Sequence, residues 1–91
     1  MSSDPRQTAV ERALATASNY LAAGQLAEAL RATKDALALD ADSAAAYELL
    51  GRIQLTGGQS AEAMESFRAA LAREPGREGA DRGLGEAALA E

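Results

Sequence analysis

Cysteine and histidine are both missing from the 91 residues. Without cysteine there is no disulfide framework and no thiolate nucleophile. Without histidine the commonest general base and metal ligand is gone. Tryptophan is absent as well, and one Phe and two Tyr hold the aromatic share to 3%, which gives β-structure little support. Positive charge is scarce: nine Lys and Arg stand against fourteen Asp and Glu, for a formal net charge of −5. Phosphate binding needs a basic stripe, and its absence argues against a nucleic-acid partner. No apolar run approaches the roughly 20 residues of a membrane span. Nor does Met1-Ser2-Ser3-Asp4 have the charged start and apolar core of a secretory leader. The expectation is a soluble, cytoplasmic chain. Lys34 is the only lysine, and the preference for Arg, with the abundance of Ala, is an association with bacterial sequences.

What the chain does contain is Ala and Leu, which carry most of a hydrophobic fraction of 47% and suit closely packed helices. It also contains one stretch twice. Gly24-Gln25-Leu26-Ala27-Glu28-Ala29-Leu30 returns as Gly58-Gln59-Ser60-Ala61-Glu62-Ala63-Met64, an offset of 34 residues from 24 to 58. A fixed period in this range marks a repeat protein whose unit is one supersecondary element. The same offset pairs Leu21 with Leu55, Ala36 with Ala70, Leu37 with Leu71 and Asp40 with Glu74. Within each copy the apolar residues fall at helical spacing. Leu26, Ala29, Leu30, Thr33 and Leu37 form one stripe, and Ala63, Met64, Phe67, Ala70 and Leu71 form the other.

The second copy resembles a tetratricopeptide repeat over its whole length. Tyr47, Leu50-Gly51, Gly58, Ala63, Phe67, Ala70 and Pro75 stand at the signature places. The same frame makes residues 10–43 a first repeat, with Ala17, Tyr20, Gly24, Ala29 and Ala36 in place, and residues 44–77 the second. Leu84-Gly85 then opens a partial third repeat, expected to be a capping helix over about 78–90. Several residues depart from the pattern: Gln54, Ala13, Thr16, Thr33 and Ala41 stand where an aromatic, Leu or Pro is usual. The resemblance implies an all-α fold, a right-handed α–α superhelix of five antiparallel helices over residues 5–91, with residues 1–4 disordered.

Local signals set the helix limits. Met1 to Ser3 are expected to fray. Asp4-Pro5 reads as an N-cap followed by Pro at the first helical position, with Gln7 completing the signature. The first helix is expected over Pro5 to Ala23, with a buried stripe of Val10, Ala13, Leu14, Ala17, Tyr20 and Leu21. Gly24 ends it. A second helix follows over about Leu26 to Leu39. Asp42 or Ser43 caps a third, which runs to Thr56 and stops at Gly57-Gly58. The fourth spans Ser60 to Arg73, Ser60 reads as a capping serine, and Phe67 is expected to fill the space between its own repeat and the next. Glu74-Pro75-Gly76 stops that helix. Arg77 to Glu91, despite Gly79, Gly83 and Gly85, keeps the repeat register. It reads either as a fifth helix capping the stack or as a segment that packs on another copy.

In the tetratricopeptide family the first helix of each pair lines the concave side. The resemblance therefore implies a groove lined by Glu11, Leu14, Ser18, Leu21 and Ala22, then by Ala45, Glu48, Leu49, Arg52, Leu55 and Thr56, then by Arg82 and Glu86. The partner-binding residues expected from this set are Leu14, Ser18, Leu21, Glu48, Arg52, Leu55 and Arg82. Arg52 and Arg82 can grip a carboxylate, and Leu14, Leu21 and Leu55 can take apolar side chains. The competing reading is ordinary solvated helix charge, with Glu48 and Arg52 paired at i, i+4. The Lys, Asn and Arg with which some family members clasp chaperone tails are replaced by Leu14, Ser18, Leu49, Gly79 and Gly83, so that specificity is not expected.

Nothing in the chain points to catalysis. Gly57-Gly58 lacks the Gly-Lys-Ser/Thr of a phosphate loop, no serine sits in a nucleophile elbow, and Asp40, Asp42, Glu62 and Glu65 read as surface charge. No enzyme activity, cofactor or metal is expected. The function expected is protein–protein interaction, with a peptide or helix of another protein in the groove. The alternative is a self-assembling structural unit whose repeat faces form a homo-oligomer. A third is an accessory piece that positions a neighbouring domain.

Overall fold

A computed structural model describes residues 4–91 of the chain. They form five helices, α1 (Pro5–Ala22), α2 (Leu26–Leu39), α3 (Ala44–Thr56), α4 (Ser60–Arg73) and α5 (Glu78–Ala90). The expectation of frayed ends at Met1 to Ser3 lies outside the described residues. Asp4, assigned to the disordered start, is fixed instead: its side chain accepts a hydrogen bond from the Arg6 backbone N–H at 2.9 Å, while Gln7 takes no part in the cap. Pro5 occupies the first turn, where a missing N–H costs nothing.

The turns follow from two glycines and one serine. Among the described residues Gly24 and Gly58 are those with positive φ, at 77° and 83°, a region that a side chain makes costly. Each lets the chain reverse within about three residues, so α1 lies on α2 and α3 on α4 as antiparallel pairs. Ser43 caps α3 by accepting from the Ala46 N–H at 3.1 Å. Ser60 does not cap α4, because Gln59 holds the cap position without a side-chain bond. The Ser60 hydroxyl donates to Glu91 at 2.6 Å instead.

Contacts between helices set the shape. α1 touches α3 and α3 touches α5, while α2 and α4 do not meet. The first helices of successive pairs are thus crowded together and the second helices are spread apart, which bends the stack with α1, α3 and α5 on the inner side. The result measures 44 × 29 × 17 Å, its thinnest dimension suited to two helix layers. The core runs along the junction in two clusters. Val10, Ala36 and Ala46 join α1, α2 and α3. Ala63, Phe67, Ala70, Ala80 and Ala87 join α4 to α5.

Phe67 is fully buried, as its place in the pattern implies, and two glycines make room for it. A Cβ at Gly51 would meet its ring at 2.7 Å, and one at Gly83 would overlap the same ring edge. Tyr20, expected on the buried stripe, is 36% exposed and lines a hollow with Thr16, Glu28 and Arg31.

Candidate functional site: the inner face of the stack

The inner face is built by α1, α3 and α5, and its charged centre is Glu48. Its carboxylate accepts from the Arg77 Nε at 2.7 Å and lies 3.7 Å from the Arg52 Nε. Arg77 also donates to Glu74. Burial of the Arg77 guanidinium opposes its charge, but the hydrogen bonds to Glu74 and Glu48 outweigh it and leave the pKa raised. The stabilisation linked to a raised pKa is full below the ordinary arginine range and fades only as pH climbs through it. This contact therefore persists at any pH near neutral.

The position of Glu48 depends on Gly79. A Cβ there would collide with the Glu48 carboxylate, so the carboxylate rests against the first turn of α5. That turn has no side-chain cap, since Arg77 occupies the cap position, and a negative group beside a helix N-terminus is favourable. Glu48 is therefore a strut between α3 and α5. The i, i+4 approach to Arg52 expected from spacing is present, but the closer partner is Arg77, 29 residues on. Arg52 keeps most of its guanidinium fork open, with its side chain 37% exposed.

Towards the N-terminal ends of α1 and α3 the inner face deepens into a pocket of about 340 Å³. Val10 and Leu14 supply its apolar lining and Ala45 one wall. Around them stand Glu11, Asp40, Asp42 and Glu74, with Arg77 on the α5 side. Asp42 is only loosely engaged, 3.5 Å from Arg73, whose guanidinium also sits over the Tyr47 ring at 4.4 Å.

Of the residues expected to line a groove, the pocket gathers Glu11, Leu14 and Ala45. Leu14 is half-buried and packs on the Val10 cluster, and Leu55 likewise packs on the Phe67 cluster. Ser18 and Arg82 are exposed and Leu21 is half-buried, and none of the three enters the pocket. Sequence reasoning missed Arg77 and the acidic rim. A signal existed: Arg77 stands 34 residues after Ser43, so an arginine replaces a capping serine at the equivalent turn. A second hollow of about 250 Å³, walled by Thr16, Tyr20, Glu28 and Arg31, lies on the other side of the α1–α2 pair.

Among the described residues no group of three or more acidic side chains is placed to hold a metal ion, and no helix is long and apolar enough to cross a membrane. No curated protein sequence matches the chain. The family model described as tetratricopeptide repeat matches residues 14–78. Together with two antiparallel helix pairs followed by a single helix packed on the second pair, this match means that the chain belongs to the tetratricopeptide repeat family.

Proposed function

We propose that the chain is a protein-interaction module that holds a segment of a partner protein along its inner face. Protein interaction is the general role of the family matched. The observation that carries the reading is the pocket between α1 and α3, apolar at the half-buried Leu14 and Ala45 and rimmed by Glu11, Asp40, Asp42 and Glu74. It suits an apolar residue flanked by a basic one. Further along the face, Arg52 offers an open guanidinium to a carboxylate or a backbone carbonyl. Leu14, Ser18, Leu21, Arg52, Leu55 and Arg82 remain the proposed contacts, with Glu48 serving to orient Arg52 more than to touch the partner.

A carboxylate clamp of the chaperone-binding kind is disfavoured. Gly79 and Gly83 stand at two of its places and offer no side chain, and a side chain at Gly83 would collide with the buried Phe67 ring.

The test is selection of peptides from a random library on the intact chain, followed by titration against variants. Arg52→Glu and Glu11→Lys are expected to weaken selected peptides by about tenfold each, or about 1.4 kcal/mol, without shifting the melting temperature. Peptides that bind equally well to both variants would place the site elsewhere.

A further inference from the structure

The 34-residue register shows that the two ends of the stack are finished differently. Gly51 and Gly85 are equivalent, yet a Cβ at Gly51 would strike Phe67 at 2.7 Å whereas one at Gly85 would meet nothing within 4 Å. At Gly51 the second helix of the pair lies overhead, and at Gly85 that place is open. The face left bare carries Gly85, Ala88 and Leu89, equivalents of Gly51, Gln54 and Leu55, with Leu84 at its edge half-buried against the Phe67 cluster. Leu55 is half-buried, and Leu89 is 91% exposed. The opposite end is closed. Ala46 and Ile53 are buried, while the residues 34 positions before them, Arg12 and Asn19, are exposed polar groups on α1. A polar outer face is what solvates a terminal repeat, and Arg12 and Asn19 supply part of one at the first end, beside the partly exposed Tyr20.

We propose that the bare face of α5 is where two copies of this chain pair, α5 crossing α5 antiparallel about Leu84–Gly85. Gly85 allows the two helix backbones to approach closely, and Leu84, Ala88 and Leu89 pack around the crossing. Charge selects a second copy of the chain as the occupant. Arg82 and Glu86 sit four residues apart on one flank of α5, and neither forms an ion pair among the described residues. An antiparallel crossing centred between them sets each Arg82 opposite the other copy's Glu86, so one patch satisfies itself twice, as a two-fold contact requires. Packing of the bare face on the α1 end of another copy would instead give open head-to-tail growth, so species that keep growing beyond the dimer overturn the pairing. One helix pair buries far less than the ~800 Å² per partner of a standard interface, so the pairing is weak and depends on concentration.

Sedimentation equilibrium of the full chain from about 10 μM to about 1 mM tests this. A monomer–dimer equilibrium is expected in that range. Leu89→Asp and Gly85→Arg, both at positions open to solvent in the single chain, are expected to raise the dimer Kd at least tenfold without lowering the helical signal or the melting midpoint of the dilute protein. Arg82→Glu weakens pairing, and adding Glu86→Arg restores it. A monomer at every concentration overturns the proposal, as does a dimer indifferent to Leu89→Asp and Gly85→Arg, or a charge swap that restores nothing. Arg82 serves both readings, so Leu89→Asp and Gly85→Arg, which lie outside the inner-face contacts, separate them: both variants are expected to bind selected peptides unchanged at dilutions where the chain is monomeric.

Discussion

Phe67 is the residue on which the second half of the stack closes. It is fully buried, and the ring occupies a notch made by two missing side chains, at Gly51 and Gly83. The equivalent junction in the first half is built from other sizes: Thr33 stands 34 residues before Phe67 and Leu49 the same distance before Gly83. Thr33 is buried and satisfies its hydroxyl on the Ala29 carbonyl at 2.8 Å. Truncation of Phe67 to Ala is expected to cost about 3–5 kcal/mol in urea melts, and a loss below about 1 kcal/mol would place the ring outside the core. Two glycines of α5 give a sharper comparison. Gly83→Ala, which drives a Cβ into the ring, is expected to destabilise by about 1–3 kcal/mol despite better helix propensity. Gly85→Ala, with open space around it, is expected to stabilise the dilute chain by up to about 1 kcal/mol. Phe67 was legible in the sequence because a lone aromatic fell on a repeated stripe. Its glycine notch was not, because Gly83 and Gly85 look alike until a neighbour separates them.

Among the elements, α5 shows most clearly how packing overrides propensity. Three glycines weaken it as an isolated helix, yet it spans Glu78–Ala90 because Ala80 and Ala87 are buried against Phe67 and because Glu48 and Arg77 tie its first turn to α3. Removing the arginine leaves Glu48, a half-buried acid, without its close partner. Arg77→Ala is therefore expected to lower stability by about 1–3 kcal/mol, read as the urea midpoint, whereas Arg82→Ala is expected to change it by less than about 0.5 kcal/mol. The limits of α2 through α5 could be read from Gly24, Ser43, Gly58 and Pro75, since each imposes a backbone requirement that sequence displays directly. The Glu48–Arg77 pair could not, since it joins residues with no local relation and depends on the space left by Gly79.

For the whole molecule, curvature comes from α1, α3 and α5 touching in series while α2 and α4 stay apart. The inner face was legible as a list of positions, because the register assigns the first helix of each pair to it. Its actual relief was not. Leu14 and Leu55 are partly spent on the core, Glu48 is held by Arg77, and the pocket gathers Asp40, Asp42 and Glu74 from the links between repeats, which a helical wheel does not describe. The asymmetric ends, polar at Arg12 and Asn19 and bare at Leu89, were equally hidden until burial gave each position a value.

All of these features require that α5 be part of the same cooperative body as α3 and α4. Amide hydrogen exchange of the dilute chain measures this most directly. The slowest amides of α5, around Ala80 to Ala87, are expected to exchange with the same opening free energy as those of α3 and α4. Exchange of α5 at the rate of an unfolded peptide while α3 and α4 stay protected would contradict it, and with it the notch around Phe67 and the Glu48 strut.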